Sequence, residues 1–430
     1  MTAPGPWLAR LQNAAYRAKL GTTPPVYRAD DIRKLFARNQ EVLRAGGEYE
    51  REIAAKVGDD ARARSVLALL RRGQEQVSAH RDVEAVLAEY VNAPTPYVDP
   101  FHHSILTRIQ RQIEILPAMY PALSFGRALA DLAGRVTVST LPTGQVNART
   151  VAVPGGEHFL ILFDPAFFDF VYYASNNFAQ AINPVSMKRE AMRFMETGES
   201  RPLTPSINYG DESVSREFLK TFEMFLHTGL PPLPTPYDEG IFRLAEHLRE
   251  GAVLFICAHE YAHILLGHLT PDEETAHSVH AGPGSPSWDA EMEADVLAFA
   301  LVDAVSAARL VRPVRHMGAY FFLFSAMLIE AAFEVADSGR TKELHEFIAP
   351  PADDEPATAH PVAPLRVGIL NDWLERKFPT TDFRGSHYHA AVIAEVASSV
   401  WHHIQPRIAA MRTDGVAPRG VWTAFDSGNH

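Results

Sequence analysis

The chain has a single cysteine, Cys257, among 430 residues. No intramolecular disulfide can therefore form, and a reducing compartment is the expectation. Cys257 falls in the apolar run Leu254-Phe255-Ile256-Cys257-Ala258, where a small core side chain is favoured over a reactive nucleophile. Long hydrophobic runs are missing too. No window reaches the ~18 uninterrupted apolar residues that a membrane span requires. The nearest, residues 317–329, stops at Glu330 and reads as a buried helix. The first twenty residues lack the continuous apolar core of a signal peptide. A soluble, cytoplasmic protein with no integral membrane segment is expected. Basic charge is also scarce: 40 Lys and Arg stand against 52 Asp and Glu, a formal net charge of −12. With no basic stripe, no nucleic-acid partner is expected. Oligomeric state leaves no trace in the sequence.

What is present describes an ordinary globular chain, 47% hydrophobic and 21% charged. Its length allows a large core and two or three structural units. Residues 30–91 are rich in Ala, Leu, Glu and Arg, with Gly46-Gly47 and Gly58-Asp59-Asp60 as breaks. They read as two or three helices with charged surfaces. Residues 92–97 (Asn-Ala-Pro-Thr-Pro-Tyr) look like a linker, and residues 104–132 like further helix. The period then changes. Residues 135–140, 149–153 and 159–163 carry the β-branched and aromatic content of strands, separated by Pro- and Gly-containing turns. A small antiparallel meander is the expectation. Residues 183–211 read as loop-rich, residues 229–236 as a proline-stiffened connector, and the stretch after Arg412 as a loosely held polar tail.

The segment that follows the connector carries chemistry. Asp238 is a plausible helix cap, and apolar residues at 241, 244, 245, 248, 252, 255 and 256 advance in steps of three and four. His259 and His263 continue that stripe with Glu260 between them, an H-E-x-x-H spacing. Two imidazoles one turn apart on a helix can share one metal ion, and the adjacent glutamate can reach a water there. Core histidines satisfied by hydrogen bonds are the plain alternative, so a third ligand is needed. Leu266 and Leu269 occupy the positions where a metzincin needs Gly and His, which excludes that branch. His268, after Gly267, reads as a helix-terminal residue rather than a ligand. Downstream, Glu291 and Asp295 lie one turn apart on an apolar helix, whereas Glu293 points away to solvent. Two inward carboxylates call for a cation. Zinc on His259, His263 and Glu291 supplies one, and Asp295 can then fix the free nitrogen of a ligating histidine. A helix-terminal acidic cluster would explain Asp289 and Glu291, but not the deeper Asp295.

The residues His259-Glu260-x-x-His263-x-x-x-Gly267-His268, Glu291-x-x-Ala294-Asp295 and His360-Pro361 with Arg366 occur in this order. In them the chain resembles the gluzincin zinc metallopeptidases, in the family of the CAAX prenyl proteases and HtpX-type metallopeptidases. It would be a soluble member without transmembrane helices. The resemblance spans residues 238–370. It implies a zincin-like domain, placed over residues 96–412. With the pattern along the chain, the expectation is an α+β, predominantly helical fold with an N-terminal helical region over residues 1–95 and a tail over residues 413–430, neither of which the resemblance covers. The resemblance implies a zinc endopeptidase acting on protein or peptide substrates, with His259, His263 and Glu291 as ligands and Glu260 as the base. His360 would lie near the scissile bond, and Asp295 and Arg366 would support the site or its transition state. On their own chemistry, His360 could be only a turn histidine before proline and Arg366 only a surface cation; the motif context favours an active-site role. An extended substrate is expected along a strand edge of residues 135–163, and the loop of residues 269–287, with His277 and His280, could cover the cleft. Two other readings fit the same residues: a non-catalytic metal-bound sensor or binding module, and a zinc amidohydrolase acting on a non-peptide amide.

Overall fold

Among the described residues helices dominate, with one small sheet, so the fold is α+β and predominantly helical. The computed structural model describes residues 4–20, 95, 100–121, 124–142, 148–153, 158–197, 212–228, 239–269, 288–307, 315–344, 363–377, 382–415 and 418. In chain order the elements are α1 (Pro4–Leu20), α2 (Pro100–Glu114), α3 (Leu116–Met119), α4 (Gly126–Leu132), β1 (Val136–Thr140), β2 (Ala148–Ala152) and β3 (Phe159–Phe163). Helices α5 (Pro165–Ala181), α6 (Pro184–Thr197), α7 (Glu212–Thr228), α8 (Glu239–Leu265) and α9 (Trp288–Ser306) follow. The last three are α10 (Met317–Ser338), α11 (Ala363–Lys377) and α12 (Asp382–Thr413). Helices expected within residues 30–91, the Asp238 cap, most of the 269–287 loop and the chain beyond residue 418 lie outside the described residues.

Two compact units emerge, one of residues 1–108 and 235–243, the other of residues 109–234 and 244–430. In the first, α1 buries Leu8 and Gln12, and Thr95 Oγ1 donates to Gln12 Oε1 over 2.7 Å. The sheet and α9 to α12 belong to the second.

The sheet is mixed, not the antiparallel meander expected from the sequence. Its order is β1-β3-β2, with β3 parallel to β1 and antiparallel to β2. The reason lies in β3, Phe-Leu-Ile-Leu-Phe, which is apolar throughout and buried from Leu160 to Phe163. A strand apolar on both faces belongs at the centre of a sheet, so β3 inserts between its predecessors instead of joining the edge. Among the described residues that leaves β2 as an edge strand.

Two helices share one start signal. Asp164 caps α5, its Oδ1 accepting from Ala166 N over 2.7 Å with Pro165 in the first turn. Asn183 does the same for α6: its Oδ1 accepts from Ser186 N over 3.1 Å, and Pro184 opens the helix. The loop expected over residues 183–211 is therefore helical as far as Thr197. An Asx cap followed by proline is a helix start, because the cap satisfies an orphan N–H and proline lacks one.

Phenylalanines knit the second unit's core. Phe163 of β3 meets Phe167 of α5 at a ring separation of 5.4 Å, and Phe167 meets Phe322 of α10 at 6.0 Å. Phe178 packs edge-on against Phe218 of α7 and Phe321 of α10. Among the described residues α10 is the helix long and apolar enough to cross a membrane, and most of it is buried inside the protein. A helix apolar on every side and buried on every side is a core helix. It crosses α8 at bare backbone: a Cβ on Gly318 would stand 2.3 Å from the carbonyl carbon of Gly251. Glycine at both positions lets α8 press into the core, and from Ala252 to Ile264 every α8 side chain is buried.

Candidate metal centre

Helix α8 delivers His259 and His263 from that buried stretch, and α9 delivers Glu291 from its first turn. The three side chains come from two helices and converge. His259 Nε2 and His263 Nε2 lie 3.0 Å apart. The Glu291 carboxylate is 3.4 Å from each, through Oε2 to His259 and Oε1 to His263. A tetrahedral ion with bonds of about 2.0–2.1 Å holds its ligands about 3.3 Å apart, so these separations suit one. The donor set, two imidazoles and one carboxylate, is that of a catalytic zinc site with a place left for water. Among the described residues this is the cluster able to hold a metal ion. Its members are nearly inaccessible, at 5%, 5% and 3% exposure.

The ring nitrogens facing away from the cluster are held differently. His259 Nδ1 lies 2.9 Å from Asp295 Oδ1, close enough for a hydrogen bond, although its N–H is not aligned with the oxygen. Asp295 is gripped in turn by Arg366 of α11, whose Nε and Nη2 each donate to one carboxylate oxygen over 2.6 Å. Both donors of this fork are thus directed at Asp295. Burial opposes the charge on Asp295, but Arg366 and then His259 outweigh it and hold the carboxyl below its ordinary value. Burial likewise opposes charge on His259, yet Asp295 and Glu291 raise it to about 10. Carboxylates that favour a proton there this strongly would favour a dication in its place.

His263 faces the end of α8. There Gly267 adopts φ +71°, its N–H bonds Ile264 O, and the His268 N–H bonds His263 O over 3.0 Å. This pair of bonds is a Schellman cap, which needs a left-handed residue and here has glycine. The cap folds the His268 ring back onto His263, with the two Nδ1 atoms 3.0 Å apart. His268 Nε2 lies 3.4 Å from Glu293 Oε2. Burial, then the neighbouring His263, lowers the pKa of His268 and so favours its neutral form. Glu293 itself is turned outward, with its side chain 66% exposed.

Glu260, buried on the same helix, meets the sheet. Thr150 of β2 donates its hydroxyl to Glu260 Oε2 over 2.6 Å, and the contact is buried. The edge strand is thereby fastened to the carboxylate that would serve as base. Thr150 was invisible from the sequence, since nothing local links a strand threonine to a helix 110 residues away. The position of His268 had a local signal in Gly267, whose left-handed cap fixes the direction of the next residue. Cys257 is fully buried, and burial, then Glu260 and Glu114, push its thiol pKa up, as for an inert core residue. His360, His277 and His280 lie outside the described residues.

A family model described as Peptidase U49 matches residues 207–345. The matched segment holds His259, Glu260, His263, His268, Glu291, Glu293 and Asp295, while Thr150 and Arg366 fall outside it. No curated protein and no solved structure matches the chain. The match to residues 207–345 supports a peptidase role for this protein.

Proposed function

We propose that the protein is a zinc-dependent endopeptidase of gluzincin type, with His259, His263 and Glu291 as the ligands of a single ion. The observation that carries this reading is the convergence of those three groups beside a buried glutamate, inside the segment that matches a peptidase family. Zinc held there would supply Lewis acidity, lowering the pKa of water and polarising a carbonyl. Glu260 takes the proton of the attacking water and returns it to the leaving amine. Thr150 keeps one Glu260 oxygen engaged and so orients the carboxylate. Asp295, locked by Arg366, holds the His259 ring. His360 is assigned to the developing oxyanion, the place where a fixed donor matters most.

The substrate would be an extended protein or peptide segment. Strand β2 is an edge whose Thr150 already touches Glu260. Pairing along that strand would satisfy a substrate's backbone without reading its side chains.

Hydrolysis of an unstructured protein such as casein, comparing the native chain with Glu260→Gln, tests the assignment. The variant should retain zinc and lose activity by about 10²–10⁴-fold. Full activity in Glu260→Gln would refute the role of the base. A proteome-wide comparison of cells expressing either form would then identify the substrates and the cleavage preference.

A further inference from the structure

We propose that His268 is a positioning residue for the metal site: its ring accepts the Nδ1–H of His263 and is itself tied to Glu293, so that His263 presents Nε2 as a ligand. The inference rests on the zinc-site reading above. His263 Nε2 is the nitrogen that faces the cluster, 3.4 Å from Glu291 and 3.0 Å from His259 Nε2. A neutral ring that ligates through Nε2 carries its proton on Nδ1. That proton has an acceptor 3.0 Å away if His268 Nδ1 bears a lone pair. His268 must then be protonated on Nε2, and this nitrogen faces Glu293 Oε2 at 3.4 Å. One tautomer assignment therefore satisfies every nitrogen of the two rings. The reverse assignment would put a proton on His263 Nε2 and disqualify it as a ligand.

The backbone enforces the arrangement. The left-handed Gly267 and the bond from His268 N to His263 O close the helix so that the two rings meet, centroids 5.1 Å apart. The role parallels that of Asp295 on His259, with a neutral acceptor at the rim in place of a buried carboxylate. A plain helix cap would need only the His268 backbone N–H, so side-chain substitutions separate the two roles. His268→Phe keeps the cap and removes the acceptor. His268→Asn keeps an acceptor oxygen near the position of Nδ1.

The test is zinc affinity of the purified full-length chain, by competition with a chromophoric chelator, alongside urea denaturation of the metal-free forms. His268→Phe should weaken zinc binding about 10- to 100-fold, the usual effect of losing a partner of a ligating histidine. His268→Asn should restore most of the affinity, and the denaturation midpoints of the metal-free forms should coincide. Glu293→Ala, at an exposed position that puts folding at no risk, should weaken binding in the same direction by less. Native affinity in His268→Phe, affinity in His268→Asn as weak as in His268→Phe, or native affinity in Glu293→Ala would overturn the proposal and leave the zinc site standing. A native chain that binds no zinc would overturn both.

Discussion

The two histidines of α8 are supported from opposite ends of the polarity scale. His259 leans on Asp295 and Arg366, an ion pair sealed in the interior. His263 leans on His268 and Glu293, a neutral ring and a solvated carboxylate at the mouth of the helix. Both arrangements orient an imidazole, but they differ in what else depends on them. A buried charge pair is part of the fold, because either member left alone is an uncompensated charge. A rim imidazole can be exchanged with little consequence for folding. If the site holds zinc as proposed, the interior support ties metal binding to stability and the rim support leaves the two separable.

Breaking the interior side should have the largest effect. Asp295→Ala leaves Arg366 buried without a partner and should destabilise the protein by about 3–5 kcal/mol, read by urea denaturation, with zinc binding weakened as well. The pH dependence has a definite sign. The folded Asp295 carboxyl sits below its unfolded value of about 3.9. Its contribution to metal-free stability is complete above that value and is lost as pH falls through the depressed folded value. In Asp295→Ala this part of the acid loss should be missing from denaturation midpoints recorded as pH falls below about 4. An unchanged midpoint at neutral pH would contradict the division between interior and rim.

The rim should respond the other way round, with the loss of zinc affinity described for His268→Phe and no loss of stability. Gly267→Ala is a subtler probe of the same end. No atom crowds its Cβ position, so the penalty is that of a left-handed L-residue, about 1–2 kcal/mol. Because the cap aims His268, this variant should lose zinc affinity together with that modest stability. Chelator competition and urea denaturation measure the two effects. A stability loss with native zinc affinity would mean that the cap does not position the ring.

How much of this was legible in the sequence follows the range of each interaction. His259, Glu260 and His263 are neighbours on one helix, and Glu291 and Asp295 on another, so helical period alone announced them. Arg366 was singled out by motif order, and its partner Asp295 emerged only when α9 and α11 were brought together. Thr150 gave no signal, because strand-to-helix contacts are set by the tertiary fold. The sheet was misread for a similar reason: the sequence order of three strands suggests a meander, but the apolar content of β3 claimed the central place. The helix after Asn183 was missed although its cap and proline were in plain view.

The central claim is a metal site built from two α8 histidines and one α9 glutamate. Elemental analysis of the purified full-length protein tests it most directly, beside His263→Ala and Glu260→Gln. The account predicts about one zinc per chain in the native protein and in Glu260→Gln, and nearly none in His263→Ala. A native chain free of tightly bound zinc even after incubation with it, or a His263→Ala chain that keeps its zinc, would contradict it.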